Sequence, residues 1–190
     1  VGCVLVNPDG RLLAVGHTGT GGVPHAEVAA LNYLETKTGN KEAVRGGTAY
    51  VTLEPCTHYG KTPPCAQALI DAGIGRLVVA IKDPDHRVNG AGMAMIAAAG
   101  IDVSCGVQQE KSAEVLRGFI NRIIVNKPFC SLKVATSLDG KIALSDRQRR
   151  MLTGPPMRRY VHFLRSRADA IITGIGTVLA DNPQLDCRNE

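Results

Sequence analysis

Thr48-Ala49-Tyr50-Val51-Thr52-Leu53-Glu54-Pro55-Cys56 reads as a β-branched strand, Thr48–Leu53, that runs into a proline and then a cysteine. A second cysteine, Cys65, follows a Pro-rich loop and opens a helical pattern over Pro64–Ala72 that stops at Gly73, a C-cap position. Upstream, the Gly-rich stretch Gly19–Val23 and Pro24 lead into His25-Ala26-Glu27. These residues open another helical pattern, His25–Lys37, in which Val28, Leu31 and Leu34 recur at helical spacing. Both segments therefore place metal-binding side chains where a helix begins.

Outward from this centre the alternation continues. Val1–Val6 and Leu12–Gly16 are apolar strand patterns joined by Asn7-Pro8-Asp9-Gly10, a hairpin turn. Arg76–Ile81 and Ile101–Cys105 read as strands, with a helix over Ala91–Ala99 between them, and Ser112–Ile124 is amphipathic. This alternation predicts an α/β sandwich with helices covering a central sheet. Beyond Asn126-Lys127-Pro128 the texture changes. Phe129–Ser137 and Ala170–Ile175 read as strands, Pro155–Arg167 as a helix, and Asp146–Arg150 as a basic loop. We expect a boundary near Val125–Lys127, giving domains 1–125 and 126–190. The chain starts inside a strand pattern without Met and ends without a closing element, so both natural ends are expected to be missing, which leaves a lost targeting segment open.

The 190 residues carry a net charge of +5, which favours phosphorylated partners. No Trp and 4% aromatic residues argue against a surface built to stack many bases, so no nucleic-acid partner is expected. The run Arg147–Arg150 reads as a solvated basic loop. No apolar run approaches the ~20 residues of a membrane span. Of six cysteines, Cys3, Cys105 and Cys130 sit in apolar strand-like surroundings and read as buried free thiols, while Cys56 and Cys65 flank turn chemistry. That usage suits a reducing, cytoplasmic compartment with one metal site.

One His and two Cys supply the three protein ligands of a catalytic zinc and leave a position open for water. Zinc lowers the pKa of that water from ~15.7 to roughly 7. Glu27, two residues past His25, reaches the water without being a ligand, and suits the role of proton shuttle. His-x-Glu with Pro-Cys is the arrangement of zinc-dependent deaminases. A structural zinc would use a fourth protein ligand, which His58 could provide, and would not need Glu27.

In the general deaminase pattern the cysteines are spaced Pro-Cys-x-x-Cys. Here eight residues, Thr57–Pro64, intervene. The run Thr52-Leu53-Glu54-Pro55-Cys56 through Cys65 resembles the bifunctional deaminase/reductases of riboflavin biosynthesis. So do Val1-Gly2, Pro24–Ala29, Ser137-Leu138-Asp139-Gly140-Lys141-Ile142-Ala143 and Gly174–Pro183, so the likeness spans essentially the whole chain. It implies a cytidine-deaminase-like three-layer α/β/α sandwich with a mixed sheet, followed by the start of a dihydrofolate-reductase-like domain. The implied reaction is deamination of 2,5-diamino-6-ribosylamino-4(3H)-pyrimidinone 5′-phosphate, with Zn2+ on His25, Cys56 and Cys65 and Glu27 protonating the leaving ammonia.

The same likeness sets His58, Lys61, Asp83 and Asp85 at the deaminase substrate. Asp83 and Asp85 read equally well as a solvated charged turn. It sets Ala135, Met151, Thr177 and Asp181 near NADPH, and Arg165, Leu185 and Arg188 near the reductase substrate, and it suggests a homo-oligomer. The chain departs from the family at Asp83-Pro84-Asp85-His86, where Asp-Pro-Asn-Pro is usual, and at Met151, where Trp is usual. A nucleoside or tRNA deaminase sharing the zinc core, and a non-catalytic zinc-binding module, stay open as alternatives.

Overall fold

The structure, a computed structural model, describes residues 1–60, 63–145 and 151–188. Its contacts divide the chain into one unit over Val1–Cys130 and another over Ser131–Glu190, a few residues beyond the expected boundary.

In the first unit β1 (Gly2–Val6) and β2 (Leu12–His17) form the expected hairpin. Its turn is closed by the Gly10 N–H on the Asn7 carbonyl at 2.9 Å and the Arg11 N–H on the Asn7 side-chain oxygen at 2.7 Å. β3 (Thr48–Val51) pairs antiparallel with β1, and β4 (Arg76–Val79) and β5 (Asp102–Cys105) add in parallel. The sheet is therefore mixed, in the order β2-β1-β3-β4-β5. The helices α1 (Ala26–Thr38), α2 (Cys65–Asp71), α3 (Ala91–Ala98) and α4 (Gln109–Val125) complete the unit.

Alternation along each strand sorts side chains to two faces. Ala14, Cys3, Leu5, Ala49, Val51, Leu77 and Val79 point to one face, where Ala26, Ala30, Leu31 and Leu34 of α1, Ala66 and Leu69 of α2, and Ile96 of α3 meet them in a single buried core. On the other face Val78 is buried while Val15 and Tyr50 are exposed. α4 turns Ser112 and Leu116 inward, one turn apart.

The core is shallow where α1 crosses β2. A Cβ on Gly16 would lie 2.3 Å from the Ala26 carbonyl oxygen and 2.4 Å from the Ala30 nitrogen, so only glycine fits there. This close seat sets the start of α1 at the sheet edge where β3 and β4 end.

The second unit differs from expectation. Pro155–Ser166 is helical (α5) as expected, but Phe129–Ser137 and Ala170–Gly174 form no strand, and Ile175–Asp181 is a helix (α6) to which the sequence pattern assigns no element beyond the first residue. A strand exists only with a hydrogen-bonded neighbour, and among the described residues these stretches have none. Their apolar side chains stay outside: Leu132 is 91% exposed and Ile172 94%. The basic loop at 146–150 lies outside the described residues. Cys3 is buried as expected, but Cys105 ends the edge strand β5 and Cys130 lies in an unpaired stretch, and both are exposed. Among the described residues, no helix is long and apolar enough to cross a membrane.

Gly16→Val should cost about 3 kcal/mol, because the new side chain has only backbone to displace. Urea unfolding followed by far-ultraviolet circular dichroism tests this. A midpoint equal to the parent's would mean that α1 does not press on β2.

Candidate metal centre

Parallel strands gather their following loops at one edge of a sheet, the usual place for ligands in open α/β folds. Here Val51 is the last residue of β3, and its carbonyl accepts the Ala80 N–H at 2.9 Å just past β4. Glu54 N–H donates to the Ile81 carbonyl at 2.9 Å. Gly2 N–H donates to Thr52 Oγ1 at 2.9 Å, and Thr52 N–H returns to the Gly2 carbonyl at 3.0 Å. The chain after β3 and β4 therefore converges with the start of β1.

His25 is the N-cap of α1, in extended conformation, and Cys65 is the first residue of α2. Cys56 lies in the loop after β3. Cys65 N–H donates to Cys56 Sγ at 3.4 Å and Ala66 N–H to the Cys56 carbonyl at 3.1 Å, which fastens that loop to the helix start. His25 Nδ1 lies 3.2 Å from Cys65 Sγ and 3.5 Å from Cys56 Sγ. The three ligand atoms all lie within 4.8 Å of one another. Tetrahedral zinc with bonds of 2.0–2.3 Å separates its N and S ligands by about 3.5 Å. The donor set and spacing fit zinc, with a fourth position left to water.

Glu27 is in the first turn of α1 and 3% exposed. Burial pushes its carboxyl up from the ordinary range, and the Cys56 sulfur adds to this, against a hydrogen bond to its own backbone N–H. The two thiols share one proton. A hydrogen bond from Cys65 holds Cys56 down at about 5, helped by the Cys65 backbone N–H and His25. The same partnership pushes Cys65 up, with burial and the Glu27 carboxylate acting in the same direction.

The other expected residues are placed as follows. His58 is exposed in the loop between the cysteines, and Lys61 lies outside the described residues. Asp83 and Asp85 are buried. Asp83 Oδ1 accepts the Asp85 N–H at 2.9 Å. The Asp85 carboxylate is occupied by Arg87, with contacts of 2.6, 3.0 and 3.1 Å that hold it well below the usual carboxylate range. Burial moves Asp83 the other way. Sequence patterns did not single out Glu54 or Arg87. Glu54 is buried and accepts four backbone N–H groups drawn from Asp83 to Met93. Its partners lie 29 to 39 residues away, so no local pattern shows them.

In the second unit, Thr177 and Asp181 lie one turn apart on α6, exposed. Ala135 is half-buried and Met151 exposed, and no hydrogen bond or ion pair among the described residues joins either of them to α6. Arg165, Leu185 and Arg188 do come together. Arg165 donates to the Asp186 carbonyl at 2.9 Å, Arg188 N–H donates to His162 Nδ1 at 3.0 Å, and Leu185, next to Asp186, has φ +53°.

The family described as the cytidine and deoxycytidylate deaminase zinc-binding region matches residues 1–81, and the RibD C-terminal domain matches residues 128–190. The riboflavin biosynthesis protein RibD of Escherichia coli (strain K12) is 43% identical over 188 residues, covering 99% of this chain and 49% of that protein. Among solved structures, Acinetobacter baumannii RibD, form 1, superposes with a TM-score of 0.85 at 42% identity, over 99% of this chain and 51% of that one. A diaminohydroxyphosphoribosylaminopyrimidine deaminase/5-amino-6-(5-phosphoribosylamino)uracil reductase from Thermotoga maritima superposes at 0.88 with 41% identity, over 98% and 52%. The first unit thus has the cytidine-deaminase-like fold. This chain spans about half the length of these relatives, and over that half it belongs to the RibD family, with a zinc-binding deaminase region followed by RibD C-terminal domain sequence.

Proposed function

We propose that this chain carries out the deamination step of riboflavin biosynthesis, releasing ammonia from 2,5-diamino-6-ribosylamino-4(3H)-pyrimidinone 5′-phosphate. The observation that carries the reading is the meeting of His25, Cys56 and Cys65 beside a buried Glu27. A zinc ion held by the three ligands would supply an acidified water and a Lewis acid. Hydrolysis exchanges a ring C–NH2 for C=O and liberates NH3, so protons must leave the water and reach the departing nitrogen. A carboxyl raised by burial is matched to taking such a proton and returning it.

His58 and Lys61, on the loop between the cysteines, are proposed to meet the substrate, Lys61 as a phosphate partner. Asp83 and Asp85 are proposed to shape the neighbouring wall, with Asp85 presenting Arg87. The domain division at 1–125 and 126–190, a homo-oligomeric state, a cytoplasmic setting and the absence of a nucleic-acid partner belong to the same reading. Thr177, Asp181, Ala135 and Met151 toward NADPH, and Arg165, Leu185 and Arg188 toward the reductase substrate, are assigned to the longer protein that relatives form. A nucleoside or tRNA deaminase is the second reading, set aside because eight residues separate the cysteines here.

Ammonia release from the pyrimidine ribosyl phosphate, with cytidine for comparison, is the direct test, and release from cytidine alone would reverse the choice. Glu27→Gln should lower turnover by about 10³-fold while zinc stays bound; unchanged turnover would remove Glu27 from the chemistry.

Zinc binding near pH 7 should release about one proton from the thiol pair, since the hydrogen bond between them lowers one thiol and raises the other. Zinc affinity should accordingly rise about tenfold per pH unit there. Calorimetric titration in buffers of different ionisation enthalpy reads this number, and a value near two would show both thiols protonated. The 190-residue chain by itself should not oxidise NADPH with the deaminated product, because it spans only about half the length of its relatives; steady oxidation at 340 nm would contradict that.

A further inference from the structure

The Glu54 carboxylate has a task that the metal chemistry does not explain. It is 3% exposed, and its two oxygens are fully shared out. Oε2 accepts the N–H groups of Asp83 at 3.1 Å and Gly90 at 2.9 Å, and Oε1 those of Gly92 at 2.9 Å and Met93 at 3.2 Å. Gly90 is the N-cap of α3 and has no side chain to cap it, so Glu54 serves the first turn of that helix from across the fold. The contact is reinforced at Gly92, where a Cβ would lie 2.0 Å from the Pro55 carbonyl oxygen. The first turn of α3 is thus pressed against the residue that precedes the ligand Cys56.

We propose that Glu54 is a positioning residue that locks the segment Asp83–Met93 onto the Cys56 turn, so that this segment stands as a fixed wall beside the metal centre and holds the substrate. The proposal rests on the deaminase reading above. From Glu54 the order passes to Asp83, from the Asp83 carboxylate to the Asp85 N–H, and from the Asp85 carboxylate to the Arg87 guanidinium. One carboxylate therefore orders three charged side chains of the wall. Only a carboxylate satisfies all four donors. A Gln in either orientation turns an NH2 group toward two N–H donors, and a buried donor without an acceptor is costly.

The test compares Glu54→Gln with the parent by amide hydrogen exchange, zinc content and steady-state kinetics. Losing hydrogen bonds to a charged group should open the 83–93 segment about 10- to 100-fold more often. Exchange should speed up there by that factor, while α1 and β1–β4 keep their protection and zinc stays at one per chain. KM should rise about tenfold with kcat within a few-fold of the parent. Fast exchange with KM unchanged would overturn the proposal, since the segment would then be free of substrate. Loss of zinc and kcat together at unchanged KM would also overturn it, by assigning Glu54 to the metal.

If Glu54→Gln does not fold, Glu54→Asp keeps the charge but withdraws the oxygens, and should show the same KM-led split. A parent that releases no ammonia would refute the deaminase reading, and the exchange rate at 83–93 would then by itself uphold or overturn the Glu54 tie.

Discussion

A carboxyl group and two thiols are crowded into one buried corner of the first unit, and that crowding governs the site. Glu27, Cys56 and Cys65 are coupled in ionisation: burial raises Glu27, and the hydrogen bond between the thiols lowers Cys56 and raises Cys65. A protein interior does not accept such a cluster without compensation. His25 Nδ1, 3.2 and 3.5 Å from the two sulfurs, completes a donor set whose common requirement is a central dication. Once both sulfurs serve a cation, Glu27 is the group of the three left free to take and return a proton. The ligands and the proposed acid–base group thus take opposite roles although all lie at the starts of α1 and α2 or in the loop that ends at α2.

The crowding is held in place by backbone. α1 can bring His25 and Glu27 to the sheet edge only because Gly16 lets it touch β2. Cys56 is fixed by the Cys65 and Ala66 N–H groups, and Glu54 next to it grips the start of α3. Three helix beginnings are therefore referred to a single turn of chain, Glu54-Pro55-Cys56. Side-chain packing supplies the core beneath, but the position of each ligand is set by hydrogen bonds and close backbone approach.

Much of this was legible in the sequence, for reasons that also explain what was not. The metal ligands and Glu27 announce themselves through residue type at helix starts, and the strands of the first unit through β-branched runs whose partners lie within that unit. Phe129–Ser137 and Ala170–Ile175 carry the same texture and form no strand, because texture states a preference and a ladder needs a neighbour. Ile175–Asp181 contains glycine and β-branched residues and still closes as a helix, capped at Asn182 in the left-handed region. In the sequence Glu54 is only a letter in a motif. Its function is a set of bonds to residues 29 to 39 positions away, which periodicity cannot register. The Asp85–Arg87 pair is within local reach, two residues apart, yet charged neighbours in a turn are too common to separate a clamp from a solvated surface.

The long spacing of the cysteines follows from the same geometry. With two residues between them, both would fall within about one helical turn. Here Cys65 alone begins a helix, and Cys56 is carried by the end of β3, so the ligand positions are set from opposite sides of residues 57–64. Lengthening the connection from two residues to eight is two doublings, which costs only about 1.2 kcal/mol of closure entropy. The Cys65 and Ala66 N–H groups meet that cost by binding the Cys56 sulfur and carbonyl directly. Metal binding therefore puts little restriction on what the intervening residues are. His58 and Tyr59 are exposed there, on a loop tethered at both ends to the metal centre but not needed to build it. That is an arrangement in which a common metal core can tolerate different connecting segments: the ligands are held by the ends of the loop, and its middle is left free to vary.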